Sequence, residues 1–353
     1  MNRRQFLYSA VGGLAATTFP TSISKAASPT AKLGIADFAL AIRRRAERAG
    51  IVPKRLGSPL DYLKYCHAMG AGGVQCTIGQ PDESQTKDIR SYLETNNMFI
   101  VGTARLPREA SGAERFGANL FAAKRAGAKV VRVAIGGRRY EDYDTLEQYK
   151  AFARRSWKSL QLAEPVAAQH EMPLAIENHK DFRIEQMLTM LKRLDSEYVG
   201  VCVDTNNSVA LLEDPLEVAK AYAPWAFSVH LKDMALCEYE DGFLLADIPL
   251  GEGIIDLAEI VRILRAAKPD ISFNLEMSTR DPLKVPCLTE KYWATFENVP
   301  PSDLARALRC ARSQGRPRES LLSVSPLPLA EQVKLEEEIN RKCLAYASKH
   351  LNL

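Results

Sequence analysis

The sequence predicts an α/β chain that closes as a (β/α)8 barrel and carries a helical extension beyond it. Three observations predict this. Eight short apolar segments of β type alternate with segments of helix length. Helix-length crossovers between successive strands demand parallel pairing, and eight such units close on themselves. Four of the later strands stop abruptly at metal-capable residues, which suits a fold whose chemistry gathers where strands end. A doubly wound open sheet is the alternative, but no GxGxxG turn follows the first strand.

The elements follow in order. Residues 1–26 read as a twin-arginine export signal: Asn2-Arg3-Arg4-Gln5-Phe6-Leu7, an apolar run over 6–19, then Ser24-Lys25-Ala26 before a cleavage point. The run is about fourteen residues, too short and glycine-rich to span a bilayer comfortably. Strands are expected at 33–38, 73–77, 98–102, 129–134, 173–176, 199–203, 227–231 and 271–275. Helices are expected at 59–69 with Ser58 as N-cap, 82–97, 111–126, 146–169 with a kink near Pro165, 184–194, 215–222 and 256–267. The barrel is thus assigned to 27–277 and the extension to 278–353. In the extension, 303–313 (Ser302 as N-cap) and 331–350 are helical, joined by a mobile Pro/Ser/Arg-rich connector at 315–328. Leu335, Ile339, Cys343 and Ala347 give the last helix an apolar face, to be buried on the barrel or on a second subunit as a homo-oligomer.

Composition bounds the function. The 353 residues are 46% apolar and 25% charged, ordinary for a globular chain with a large core. Loss of Arg3, Arg4 and Lys25 with the signal takes the formal charge from +4 to +1. A nearly neutral protein has no electrostatic case for nucleic acid or an anionic membrane. The seven scattered cysteines form no CxxC pair and no disulfide framework.

The strand ends carry the chemistry. Ile176 runs into Glu177-Asn178-His179-Lys180, Val203 into Asp204, Val229 into His230-Leu231-Lys232-Asp233, and Asn274-Leu275 into Glu276. If these strands are parallel neighbours, Glu177, Asp204, His230 and Glu276 converge at one rim. Two Glu, one Asp and one His make a divalent-metal site of mostly oxygen ligands. Glu177 and Glu276 can flank a bound substrate from opposite sides, one removing a proton and the other returning it. His179 is placed to meet substrate or donate a proton, and Lys180 to steady a carboxylate or enolate oxygen. Lys232 and Asp233 are expected to touch substrate or the ligands. Glu252, between Gly251 and Gly253, is expected to reach into the mouth, and Arg280 to read an acidic substrate.

Together with the Pro249-Leu250-Gly251-Glu252-Gly253 loop, these motifs resemble the xylose-isomerase-like TIM barrels, the sugar phosphate isomerase/epimerase family, over residues 33–276. The resemblance implies one Mn, Mg or Co ion held by Glu177, Asp204, His230 and Glu276. It also implies a ligand-touching role for Asn207, three residues past Asp204. The implied activity is isomerisation or epimerisation of a keto-sugar or sugar-acid derivative through a metal-stabilised enediolate. A decarboxylase of a β-keto sugar acid, of the 3-oxo-isoapionate type, uses the same site; the segment from Arg280-Asp281-Pro282 to Trp293 looks closer to that branch. Abasic-site endonucleases share the barrel but need more histidines than the five present. An exported sugar-binding protein without activity would be expected to have lost ligands, and all four positions are intact.

Overall fold

Eight parallel strands close into a barrel in the computed structural model, which describes residues 32–353. The export signal expected at 1–26 lies outside those residues. In chain order the strands are β1 (Gly34–Ala36), β2 (Gly73–Cys76), β3 (Phe99–Arg105), β4 (Val131–Ala134), β5 (Leu174–Glu177), β6 (Val199–Asp204) and β7 (Ala226–Leu231). A hairpin of β8 (Asp233–Tyr239) and β9 (Gly242–Ile248) precedes β10 (Ser272–Leu275). Strands β1 to β7 pair consecutively; β10 then pairs with β7 and with β1, closing the ring. Each expected strand therefore exists, within a few residues of its expected ends.

The helices that cover the barrel are α1 (Ala41–Arg48), α2 (Pro59–Ala68), α3 (Glu83–Thr95), α4 (Ala113–Arg125), α5 (Arg139–Asp142), α6 (Leu146–His170), α7 (Ile184–Leu194), α8 (Pro215–Tyr222) and α9 (Leu257–Ala267). Their starts follow local chemistry. Ser58 accepts from the Asp61 amide, Asp82 and Gln85 form a reciprocal capping box, and Asp214 and Asp256 cap α8 and α9. In β6 the odd-numbered residues Val199, Val201 and Val203 pack outward on the helices. Cys202, between Val201 and Val203, lies on the inner face, because side chains alternate along a strand.

The barrel interior is filled below the rim. Val101, Ala175 and Cys202 share one apolar cluster, and the Phe99 ring packs against it. That ring comes so close to β1 that a Cβ on Gly34 would sit 2.7 Å from Phe99 Cζ and 2.5 Å from Asn274 Oδ1. Glycine there makes room for the plug.

Two features depart from expectation. The first is a three-stranded antiparallel sheet of β8, β9 and β11 (Leu283–Val285) beside the barrel. Its signal was present in Glu240-Asp241-Gly242, a short turn between two apolar runs; Gly242 takes φ +149°, open in practice only to glycine. The second concerns the extension, whose first helix is α10 (Glu290–Trp293). Helix α11 (Pro301–Gln314) starts on Pro301 without a side-chain cap, so Ser302 is not its N-cap: proline at the first turn needs no amide partner. The connector at 315–328 is tied down, by Arg316 N–H to Leu236 O at 2.7 Å and by Asp281 Oδ1 accepting from Val324 N–H at 2.6 Å.

The last helix is α12 (Leu329–Tyr346), and it takes the first of its two expected placements. Its Ile339 and Cys343, followed by Ala347, are buried in the main core, so this face is spent on the barrel rather than on a second subunit. Glu336 accepts from the Ile42 and Arg43 amides at 2.8 and 2.9 Å, satisfying the start of α1, and Asn340 donates to Ala39 O at 2.7 Å. Among the described residues no helix is long and apolar enough to cross a membrane.

Candidate metal centre

Glu177 at the end of β5, Asp204 at the end of β6, His230 in β7 and Glu276 just past β10 each offer one donor atom, and these atoms lie within 4.8 Å of one another. All four side chains are buried. The register brings this about: Asp204 stands level with His230, and the Glu276 amide donates to Leu231 O at 3.3 Å. His230 Nδ1 is 3.3 Å from Glu276 Oε2 and 3.8 Å from both Glu177 Oε1 and Asp204 Oδ2.

Each ligand is held by neighbours. Asp204 Oδ1 accepts from the Asn206 and Asn207 amides at 3.0 and 2.9 Å, which turns Oδ2 toward the centre. Asn178 clasps the Asp204 backbone, accepting from its N–H at 2.7 Å and donating to its carbonyl at 3.0 Å. Glu177 Oε1 accepts from Asn207 Nδ2 at 3.2 Å, and its Oε2 pairs with Arg132 from β4. Lys232 Nζ lies 2.8 Å from Asp204 Oδ2 and 2.5 Å from Glu276 Oε2. Burial works against both charges, yet His230 and Lys232 hold the Glu276 carboxyl well below the usual range, and Asp204 and Glu276 push the Lys232 ammonium up.

The donor set fits a hard divalent cation. His230 Nε2–H donates to Gln75 Oε1 at 3.0 Å, a partner that can only accept at that atom. This fixes the tautomer that leaves the Nδ1 lone pair facing three carboxylates, and buried Nδ1 has no hydrogen-bond partner. Burial opposes charge on His230, but Cys202 and Glu276 outweigh it and hold its pKa up to about 10. A proton is thus drawn to the same lone pair that a cation would take, and metal binding would release it.

The remaining expected residues divide. Asn207 touches Glu177 as described, and Lys180 Nζ donates to Asn207 Oδ1 at 2.5 Å. Burial, then Lys232 and Arg280, push Lys180 down to about 7. His179 donates Nδ1–H to Gly137 O at 2.9 Å, and burial with Lys180 beside it brings its pKa down to about 3. A neutral imidazole so bonded accepts at Nε2, so the expected proton-donor role does not suit it. Asp233, expected near substrate, is consumed by backbone: it accepts from the Gly251 and Gly253 amides at Oδ2, and from those of Met234 and Ile255 at Oδ1. It shapes the 249–255 loop. Glu252 pairs with Lys342 on α12 and does not reach into the mouth, because that loop turns its side chain toward the extension. Arg280 donates to Asp247 Oδ2 from Nε and Nη2 at 3.2 and 3.0 Å.

Sequence reasoning missed Gln75, Arg132, Asn178, Asn206 and Asp247. Gln75 and Arg132 had a signal: each is a lone polar residue inside an apolar strand, where an unpaired group would be costly. Asp247, buried on β9, accepts from Asn206 Nδ2 at 3.2 Å as well as from Arg280. It became visible only with the hairpin.

A family model described as a xylose isomerase-like TIM barrel matches residues 63–310. The chain belongs to the xylose isomerase-like TIM barrel family. Among curated proteins, the 3-oxo-isoapionate decarboxylase of Pectobacterium atrosepticum is 29% identical over 114 residues, 32% of this chain and 42% of that one. The chain thus aligns with less than half the length of that relative. Among solved structures, D-psicose 3-epimerase, determined in the presence of D-fructose, superposes with a TM-score of 0.57 at 13% identity, covering 91% of this chain and all of that one. A family member from Mycobacterium smegmatis in complex with magnesium gives 0.50 at 16% identity over 78% of this chain and 97% of its own. At these identities the likeness is one of fold.

Proposed function

We propose that the chain is a divalent-metal-dependent enzyme that isomerises or epimerises a keto-sugar or sugar-acid derivative by moving a proton on the carbon beside the carbonyl. The observation that carries the proposal is the buried meeting of Glu177, Asp204, His230 and Glu276, with His230 Nδ1 unsatisfied and aimed at the three carboxylates. A bound Mn, Mg or Co ion would supply the Lewis acidity that polarises the carbonyl and acidifies the adjacent C–H. Glu177 and Glu276 come from β5 and from the end of β10, with β6 and β7 between them, so one can take the proton on one face while the other delivers it on the opposite face. Arg132 pairs with Glu177 and Lys232 with Glu276, whose carboxyl His230 and Lys232 hold low, and Asn207 orients Glu177. The shell of buried side chains excludes water from the exchange. The twin-arginine pattern at 2–7 supports action outside the cytoplasm, which cell fractionation would check.

The test is metal-dependent incorporation of solvent deuterium beside the carbonyl of candidate ketoses and keto acids, read by NMR, with Asp204→Asn as control. Wild-type protein that binds the ion but exchanges no proton, or an Asp204→Asn variant with full metal content and full exchange, would sink the proposal. The partial likeness to a decarboxylase favours one second reading: loss of CO2 from a β-keto sugar acid at the same centre, followed as CO2 release.

A further inference from the structure

Lys180 stands out among the charged groups around the centre. It is 3% exposed, its ammonium donates to Asn207 Oδ1, and it forms no ion pair among the described residues. A buried charge without an opposite partner is costly and is retained where something supplies the partner. Arg280, in the segment after β10, spends Nε and Nη2 on Asp247, which also accepts from Asn206 Nδ2, the chain neighbour of the Asn207 that Lys180 holds.

The charge balance points the same way. Glu177, Asp204, Glu276 and Asp247 provide four negative charges; Arg132, Lys180, Lys232 and Arg280 provide four positive ones when Lys180 is protonated. With His230 neutral, as it is when its Nδ1 lone pair is given to an ion, these side chains are neutral as a set. A divalent ion with neutral His230 leaves two positive charges, one of which a substrate carboxylate offsets; moving the proton to Glu177 or Glu276 leaves the total unchanged, because the base is neutralised as the enediolate forms. A neutral sugar would leave both uncompensated before any proton moves.

Resting on the metal-dependent reading above, we infer that Lys180 and Arg280 hold a carboxylate of the substrate, so that the natural substrate is a keto-sugar acid and not a neutral keto-sugar. Lys180 supplies a fixed, dry ammonium from the loop after β5. Arg280, 26% exposed in its side chain, is kept in place by Asp247 of the hairpin. The site would then select its substrate by a charge remote from the carbon that exchanges its proton.

The experiment uses the full chain loaded with Mn2+, and isothermal titration measures first the ion and then two probes. These are L-sorbose and 5-keto-D-gluconate, the same ketose with its terminal hydroxymethyl oxidised to a carboxylate. The keto acid is expected to bind at least about 10-fold more tightly, the scale of a charge-assisted hydrogen bond to a buried cation. Lys180→Met and Arg280→Gln should each remove most of that preference, with sorbose and Mn2+ affinities kept within about threefold. Equal affinity for the two probes, no binding of the keto acid, or a preference that survives both substitutions would overturn the inference. So would a Lys180→Met variant that loses both probes alike, since that marks a support for Asn207 only. If no Mn2+ is taken up, the metal reading fails, and the same comparison on the metal-free protein still decides the roles of Lys180 and Arg280.

Discussion

Replacement of Gln75 by Met tests how the centre is assembled. Gln75 sits in β2, opposite the ligand strands, and reaches across the barrel to accept from His230 Nε2–H at 3.0 Å. Methionine keeps the length and volume of the side chain and removes the acceptor. The imidazole is then free to move its proton to Nδ1, the atom that faces Glu177, Asp204 and Glu276. One buried hydrogen bond is worth about 1–2 kcal/mol, so Mn2+ affinity should fall by about 5- to 30-fold. That lies within the range of about 10- to 100-fold commonly seen when the partner of a ligating histidine is removed. Titration of metal-free protein with Mn2+, followed by electron paramagnetic resonance, measures the change directly. A folded Gln75→Met protein with wild-type affinity would refute the claim that β2 sets the tautomer of His230.

Three further outcomes follow from the fold. Gly34→Ala places a methyl group 2.7 Å from Phe99 Cζ and 2.5 Å from Asn274 Oδ1, and overpacking of this kind should cost about 1–3 kcal/mol in chemical denaturation. Glu336→Ala leaves the Ile42 and Arg43 amides at the start of α1 without their acceptor; a loss of about 1–2 kcal/mol is expected, with faster amide exchange in α1. Asp281→Ala frees the connector from its bonds to Val324 and Ser325 and should speed proteolysis within 315–328. The Ser325 hydroxyl and the Val324 amide hold the Asp281 carboxyl below its ordinary value, so its contribution is complete above the unfolded pKa and is lost as the pH falls through the folded one. Wild-type protein should therefore become more cleavable in the connector on acidification, and the variant should show little further change.

The barrel and the ligand set were legible because both are written locally. Strand and helix periods are properties of a few consecutive residues, and a run such as Leu174-Ala175-Ile176 stops visibly at Glu177. A carboxylate at a strand end needs only the general rule about where barrel strands place their chemistry. The same local logic misassigned Asp233 and Glu252, because a strand-end or loop position does not say whether backbone amides or a neighbouring helix will claim the side chain.

The sequence by itself determined the eight-unit ring and the four residues that end up around one centre. Only the tertiary structure decided what orients them. Gln75 lies 155 residues from His230, Arg132 lies 45 from Glu177, and Asp247 lies 33 from Arg280. It likewise decided that α12 closes over the first helix, with Glu336 satisfying amides some 290 positions away in the chain. The physical reason is that a hydrogen bond or an ion pair acts over a few ångströms of space, whatever the number of residues between its partners. Patterning fixes which face a residue presents; closure of the ring fixes whom it meets.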